Sequence, residues 1–422
     1  MMTQTSARWQ RVLQIAWPLI IANSFWNIQL TIDRVFLGMH STEALGAAMA
    51  VMGVFWVPMA LLQGTASYVT TFVAQYQGAN ERQRIGASVW QAGWVSVVGG
   101  LAFMGLTFLS TGFFEMVGHA PTTRVLEVDY FNALAWTALP TALVAAVSGF
   151  YTGLARTQVV IGINFIGMFL NGVLDYLLIF GKAGFPALGV AGAGYATAIA
   201  TYAAAGYGLW LLLRETSVED PWRLRGQWRL DRELMARFLR FGLPSGFQWA
   251  LEGLAFTTFL IVIGRQQGGE AALASSSIAV TVMMLSVLPC MGVAQAVMTL
   301  VGQNLGEKRP GEAEATAWTG VQMSALYMVV VALSFYAVPE FYLSWFRNEG
   351  NAALWEQVQT LAPRLLAIVA VFTVFDSVYL NISFALKGAG DTKFVSLIAL
   401  VVPWPLMVLP AVLLICRPDA VL

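Results

Sequence analysis

Eleven long apolar segments dominate the sequence and restrict how such a chain can fold. Each is long enough to cross a bilayer as a helix, which takes about 20 mainly apolar residues. Only 11% of the residues are charged, whereas soluble domains carry roughly 25%. We therefore predict an all-α, polytopic membrane protein. The segments lie near residues 12–38, 46–76, 86–113, 127–155, 158–181, 189–213, 236–264, 271–302, 314–345, 355–386 and 394–416.

The Lys and Arg residues in the loops between these segments indicate the orientation of the chain. With the N-terminus inside, sixteen of them lie on the inner side and six on the outer side. The N-terminus is therefore predicted to be cytoplasmic, and so is the longest polar stretch. We divide the chain into an N-terminal lobe at 1–213 with six spans, a cytoplasmic linker at 214–235 and a C-terminal lobe at 236–422 with five.

The two halves share a sequence pattern. Residues 73–90, VAQYQGANERQRIGASVW, align without gaps to residues 301–318, VGQNLGEKRPGEAEATAW. Six segments separate the starts of the two halves, so both copies would cross the membrane in the same direction. Such parallel repeats occur in transporters, with sites between or within the lobes. At an offset of 228 residues, the alignment matches Val73 to Val301, Gln75 to Gln303, Gly78 to Gly306 and Trp90 to Trp318.

Two carboxylates lie inside spans of the first lobe, where a charged side chain is costly and usually functional. Asp33 and Asp175 lie roughly 7 and 9 Å inward of the outer ends of spans 1 and 5, at a rise of roughly 1.5 Å per residue. Asn171 lies one turn before Asp175 on the same helix face, and Thr197 follows in span 6. This all-oxygen set suits a hard cation or a proton. The alternatives are that Asp33 pairs with Arg34 and that Asp175 is a structural cap.

Two more carboxylates, Glu252 and Asp376, lie near the middle of spans 7 and 10 in the second lobe. No Lys or Arg is expected at their depth, and Lys387 is counted among the basic residues of the inner side. The pair is then expected to bind a cation, share a proton or face water. Four glutamines are interpreted first as bridges between helices and second as substrate contacts: Gln63, Gln75, Gln295 and Gln303.

Seven stretches of the sequence form a recognisable set. They are IDRVFLG (32–38), VAQYQGA (73–79), GLARTQ (153–158), LNGVLDYLLIFGKAGFPALGVAGAGYAT (170–197), FGLPSGFQWALEG (241–253), the loop at 302–311 and VFDSVYLNISFALKGAGDTKF (374–394). As a set they resemble the multidrug and toxic compound extrusion (MATE) family, most closely its NorM branch. The resemblance covers the chain from about residue 10 to about residue 415.

The resemblance implies two six-helix lobes in a V shape and an antiporter driven by H⁺ or Na⁺. Such a protein expels amphiphilic, mostly cationic drugs and toxins from the cytoplasm. We expect a monomer in the bacterial inner membrane, in contact with lipids and without a cofactor beyond its coupling ion. The family has twelve spans, so we expect this second lobe to lack one. The resemblance matches the first-lobe cation site to Asp33, Asn171, Asp175 and Thr197, and the second-lobe acidic pair to Glu252 and Asp376.

Other functions fit the sequence less well. A lipid-linked precursor flippase of the same superfamily would carry basic residues in its cavity, but the charges at that depth are acidic apart from Arg34. A membrane enzyme is disfavoured because no HExxH, GxSxG or Walker pattern occurs. The net charge of zero argues against nucleic acid as a partner. The two cysteines and two histidines are far apart and offer no metal-ligand spacing.

Overall fold

The described part of the computed structural model is helical and contains no strand. It comprises residues 2–216, 220–264, 269–346 and 352–415, so linker residues 217–219 and Cys416 lie outside it. The helices are α1 (Met2–His40), α2 (Thr42–Ser67), α3 (Val69–Gly78), α4 (Arg82–Met104), α5 (Thr107–Val117), α6 (Pro121–Ala135), α7 (Ala138–Gly153), α8 (Gln158–Phe180), α9 (Gly189–Glu215), α10 (Arg232–Gly264), α11 (Gly269–Gly306), α12 (Pro310–Ala337), α13 (Pro339–Ser344), α14 (Ala352–Ala389), α15 (Thr392–Val401), a short π-helix (Trp404–Val408) and α16 (Leu409–Ile415).

The described helices form eleven rods, one for each apolar segment of the sequence. Short breaks divide five of the rods, for example at Tyr68 between α2 and α3. Eight rods are long and apolar enough to cross a membrane by length and composition, and α1, α10 and the last rod are not among them. Each of these first two helices carries a predicted intramembrane acid, Asp33 on α1 and Glu252 on α10. The prediction of an all-α protein with many membrane helices is confirmed.

The rods pack into two lobes that meet through equivalent helices. In the first lobe, α8 packs against α9 and α1, and α4 packs against α7. In the second, α11 and α12 pack against α14, and α10 packs against α15. Between the lobes α1 packs on α11, and α10 packs on α2. Because α10 and α11 are the repeat copies of α1 and α2, the two crossings are the same contact made twice.

The repeated motifs contact each other at the linker end, the end of the bundle that carries the α3–α4 turn, the α11–α12 turn and the linker between α9 and α10. A Cβ atom at Gly78 would lie 2.0 Å from the carbonyl oxygen of Gln303. One at Gly306 would lie 2.2 Å from the carbonyl oxygen of Gln75. The sequence repeat matches Gly78 to Gly306 and Gln75 to Gln303, so each copy makes the contact that the other makes. Neither position has room for a side chain.

The helix crossings between the lobes also rely on glycine. A Cβ atom at Gly64 of α2 would lie 2.8 Å from the Cα atom of Gly246 on α10. In the other crossing, a Cβ atom at Gly292 of α11 would lie 2.4 Å from Cγ1 of Ile20 on α1. Small residues let membrane helices approach closely. The α2–α10 crossing thus has glycine on both helices, whereas the α1–α11 crossing has glycine on one.

The linker is docked on the first lobe through the start of α4. The Trp90 Nε1 donates to the carbonyl of Leu224 at 2.6 Å, and the Gly86 N–H donates to the carbonyl of Trp222 at 3.1 Å. The carboxylate of Asp220 accepts from the N–H groups of Leu224 and Arg225, both at 2.9 Å. The described linker residues therefore form a folded segment with its own hydrogen bonds.

Candidate functional site

Helix packing brings the predicted polar residues of the first lobe into one buried cluster. Asn171 and Asp175 lie one turn apart on α8, which packs against α1 and α9. Those two helices supply Asp33 and Thr197. Asn171 and Asp175 are fully buried, and Asp33 is 7% exposed. All four residues that the sequence grouped together therefore meet in the structure, and we call them the first-lobe cluster.

The amide of Asn171 connects the members of the first-lobe cluster. With its nitrogen towards the acids, it donates to Asp33 Oδ1 at 2.9 Å and to Asp175 Oδ2 at 3.1 Å. Its oxygen then faces the Thr197 hydroxyl at 3.1 Å. With the amide turned over, the nitrogen faces Thr197 and the oxygen faces two carboxylates. That second arrangement needs either a cation between these oxygens or a protonated carboxyl that donates to the amide oxygen.

The two acids of the cluster are close enough to share a proton. The carboxyl groups of Asp33 and Asp175 interact directly with each other, and a hydrogen bond between them would require a proton on one of them. Asp175 Oδ1 is buried without a hydrogen-bond partner. Arg34 is exposed and forms no ion pair within the described residues, so the alternative of an Asp33–Arg34 pair is not what the structure shows. The cluster therefore has an unsatisfied acceptor. Among the described residues no base forms an ion pair with it, although Arg34 acts electrostatically on Asp33.

A small cavity adjoins the first-lobe cluster. Its space for water-sized molecules is about 30 Å³, which is enough for one or two waters. Asp33 and Thr197 form part of its wall, together with Gln29, Gln63 and Tyr130. Gln63 Oε1 is buried there without a partner. This cavity has room for water or a small ion beside the acids, and it is too small for a drug-sized molecule.

The second-lobe acids lie in a different environment. Glu252 Oε1 accepts hydrogen bonds from Tyr379 Oη at 2.7 Å and from Gln248 Nε2 at 2.9 Å. Asp376 is close enough to Glu252 for their charges to interact. Both acids are only half-buried, and Asp376 forms no ion pair with a described residue. We call Glu252 and Asp376 the second-lobe pair.

The prediction that this pair has no basic neighbour is wrong. The sequence places Lys387 on the inner side of the membrane, but its side chain is 2% exposed and lies within the lobe, where it interacts electrostatically with Glu252. A lysine side chain on a helix leans towards the helix N-terminus, and for Lys387 that direction leads back towards Asp376. Residues 376 and 387 are eleven apart, or about three helical turns, so they share one face of α14.

Sequence analysis also missed the residues that hold Glu252. Gln248 lies four residues before Glu252 on α10, and Tyr379 lies three residues after Asp376 on α14. Residues at these spacings share a helix face. The same spacing rule that links Asn171 to Asp175 would have found both partners.

Two of the predicted bridging glutamines join the lobes at the linker end. Gln75 Nε2 donates to the carbonyl of Gly388, and Gln303 Nε2 donates to the carbonyl of Gly153, both at 2.9 Å. Gln295 accepts a longer hydrogen bond, 3.4 Å, from Asn23 of the other lobe. For these three, the interpretation as bridges between helices is confirmed, whereas Gln63 faces the small cavity.

Comparison with known proteins agrees with this architecture. The sequence pattern of the MatE family matches residues 18–177 and 244–413, one match in each half of the chain. The probable multidrug resistance protein NorM of Synechococcus sp. is 28% identical over 409 residues, covering 94% of this chain and 85% of the relative. The protein of the same name from Pseudomonas aeruginosa is 29% identical over 399 residues, covering 93% and 80%.

Solved structures share the fold over nearly the whole chain. An outward-facing conformation of a multidrug resistance MATE family transporter of the MOP superfamily superposes with a TM-score of 0.87 at 19% identity, covering 97% of this chain and 89% of that one. A crystal structure of MATE in complex with MaL6 gives 0.86 at 19% identity, with the same coverage. With the family pattern matched in both halves and the two-lobed, V-shaped fold in common, this chain belongs to the MatE family of multidrug efflux transporters and is not an enzyme.

Proposed function

We propose that this transporter exports amphiphilic, mostly cationic compounds from the cytoplasm in exchange for H⁺ or Na⁺. The observation that carries the proposal is the buried, unpartnered Oδ1 of Asp175 beside Asp33. A carboxylate in such a site has to be neutralised by a cation or a proton. Loading and release of that cation would then change the charge of the first-lobe cluster and favour different arrangements of the helices around it.

The orientation of the Asn171 amide distinguishes the two coupling ions, each of which would be a transported substrate of the protein. With the amide nitrogen towards the acids, Asn171 donates to both carboxyl groups, and one proton shared between the acids would complete the cluster. With the amide oxygen towards them, oxygens of Asp33, Asn171 and Asp175 face one another and form a ligand set for Na⁺. The first arrangement favours H⁺, and the second favours Na⁺.

The second-lobe pair is the better candidate for attracting organic cations. Its acids are half-buried and so remain accessible, unlike the first-lobe cluster. Trp249 precedes Glu252 by three residues on the same helix, and aromatic faces bind flat cations. This division assigns the coupling ion to the first lobe and substrate attraction to the second. We further propose that the protein acts as a monomer in the bacterial inner membrane.

Transport by purified protein in vesicles tests the proposal. Vesicles would contain DNA, so that the fluorescent cation ethidium brightens on entry, and would be given an outward gradient of either Na⁺ or H⁺. Entry driven by one gradient and absent from protein-free vesicles would support antiport and identify the ion. If neither gradient moves ethidium, while the protein is folded and inserted, antiport of organic cations is the wrong function.

The alternative of a lipid-linked precursor flippase requires a cavity that binds pyrophosphate. Arg34 is exposed, and the one buried base among the described residues of the second lobe, Lys387, interacts electrostatically with Glu252. This balance of charges favours a site that binds a cationic substrate over one that binds an anionic pyrophosphate. The same vesicles, tested for transfer of a pyrophosphate-linked lipid between leaflets, would distinguish the two functions.

A further inference from the structure

The most unusual charged residue in the second lobe is Lys387, a lysine buried near the end of α14. Its side chain is 2% exposed, and it is among the largest fully buried side chains of the described residues. Its own carbonyl accepts hydrogen bonds from Tyr68 Oη and Thr71 Oγ1 of the first lobe, both at 3.1 Å. The backbone of this residue is therefore fixed at the junction of the lobes, and its side chain is fixed inside one of them.

Two aromatic rings hold the ammonium group. Lys387 Nζ lies 4.8 Å from the centre of the Phe384 ring and 5.7 Å from that of Trp249. Both distances are within the range in which a cation is attracted by a ring face. No described carboxylate forms an ion pair with Nζ. The ammonium thus occupies an aromatic site of the kind that recognises organic cations.

The charges around this lysine are opposite in sign to its own. Glu252 is the acid with which Lys387 interacts electrostatically, and Asp376 interacts with Glu252. Buried charges have to be compensated by partners. With the lysine present, its ammonium offsets part of the negative charge of Glu252, so less negative charge is left for an incoming cation.

We propose that Lys387 is a built-in counter-cation of the second-lobe pair, and that it weakens the binding of organic cations by offsetting one of the two acids. The inference deepens the proposed function, since it concerns the same acids and the same class of substrate. A transporter has to release what it binds, and a fixed ammonium beside the acids limits how tightly a cationic substrate can be held. Lys387 is thus a residue that sets affinity for the transported cation.

Binding of ethidium to the purified, intact protein in detergent tests this role, with fluorescence anisotropy as the readout. Lys387→Met keeps the length of the side chain and removes its charge, and we expect it to bind ethidium about fivefold more tightly or better, from the charge removed near a half-exposed site. Lys387→Arg keeps the charge and is the matched control, with affinity within about twofold of the parent.

The variants also separate charge from packing. Weaker or unchanged binding by Lys387→Met, or an equal gain by Lys387→Arg, would overturn the proposal. If Lys387→Met does not fold, Lys387→Met with Glu252→Gln decides the matter: recovery of folding supports charge compensation, and failure to recover contradicts it. Because the readout is equilibrium binding, it can succeed even if neither ion gradient drives transport.

Discussion

Gln75 and Gln303 make the same hydrogen bond in opposite directions across the two lobes. Each side-chain amide donates at 2.9 Å to a backbone carbonyl near the end of a helix in the other lobe, Gly388 of α14 and Gly153 of α7 respectively. Each acceptor glycine begins a Gly-X-X-X-Thr stretch. The residue two positions later has a positive φ angle, and it is Ala155 after Gly153 and Gly390 after Gly388. The lobes are therefore joined at the linker end by a contact with approximate two-fold symmetry.

This symmetry predicts equal effects from the two glutamines. Gln75→Ala and Gln303→Ala each remove one hydrogen bond, which contributes about 1 kcal/mol net. Each substitution should therefore raise the population in which the lobes are separated at the linker end by about fivefold. Spin labels at Arg82 and Glu314, both exposed, would report the distance between the lobes. A large effect from one variant and none from the other would show that the two bonds are not functionally equivalent.

The glycines of the repeated motif should tolerate substitution poorly. In Gly306→Ala the new methyl group would lie 2.2 Å from the carbonyl oxygen of Gln75, so the helices must separate or the substitution will destabilise the protein. Gly93→Ala in α4 is the control, because nothing lies within 4 Å of its Cβ position; we expect it to be neutral or stabilising by about 0.5–1 kcal/mol. Thermal unfolding of both variants in detergent gives the comparison. Equal melting temperatures would contradict the tight contact.

Local spacing predicts much of this molecule, and long-range packing explains the rest. The eleven rods follow from apolar length, and Asn171 is linked to Asp175 because residues four apart share a helix face. The sequence misplaces Lys387 because it follows an apolar run directly, where a lysine usually ends a span. Its burial depends on Trp249, which is far away in sequence. No spacing rule within α14 reveals that an aromatic ring of α10 is available to hold the ammonium.

Removing the charge of Asp33 should abolish export while the protein stays folded. Asp33→Asn keeps the shape of the side chain but cannot hold a cation or share a proton with Asp175 in the same way. Loss of a charge-assisted hydrogen bond of this kind costs about 1.5–3 kcal/mol, which is tenfold or more in an equilibrium. Asp129→Asn, an exposed acid of the same lobe, is the control. Efflux of ethidium from cells at matched expression is the measurement, and export at the parental rate by Asp33→Asn would remove the first-lobe cluster from the mechanism.

The linker should face the cytoplasm, as the distribution of Lys and Arg predicts. We would replace Cys290 and Cys416 by Ala and then introduce one cysteine, either Arg225→Cys in the linker or Lys182→Cys in the α8–α9 loop; both positions are exposed. An impermeant maleimide added to intact cells should label Lys182→Cys only, and should label Arg225→Cys after the membranes are opened. The reverse pattern would mean that the chain is inserted the other way round.

Glu252 and Asp376 are expected to act as one unit, separate from the first-lobe cluster. Their charges interact, and Gln248 and Tyr379 hold Glu252 in place on the side where the two helices face each other. If the pair shares one cation or one proton, removing either acid leaves the other unable to hold it. Glu252→Gln combined with Asp376→Asn should then be little worse than either single variant.

Ethidium transport by the two single variants and the double variant, at equal protein levels, measures this coupling. Contacting residues typically show interaction energies of about 0.5–3 kcal/mol in such a cycle, whereas independent residues show defects that simply multiply. Ser396→Ala on α15 supplies a control for a polar change in the same lobe, since its hydroxyl donates to the Pro244 carbonyl away from the acids. Multiplying defects, with one single variant keeping most of its activity, would mean that one acid attracts the substrate and the other is structural. Coupling energy within the expected range would instead make the second-lobe pair a single site whose charge Lys387 partly offsets.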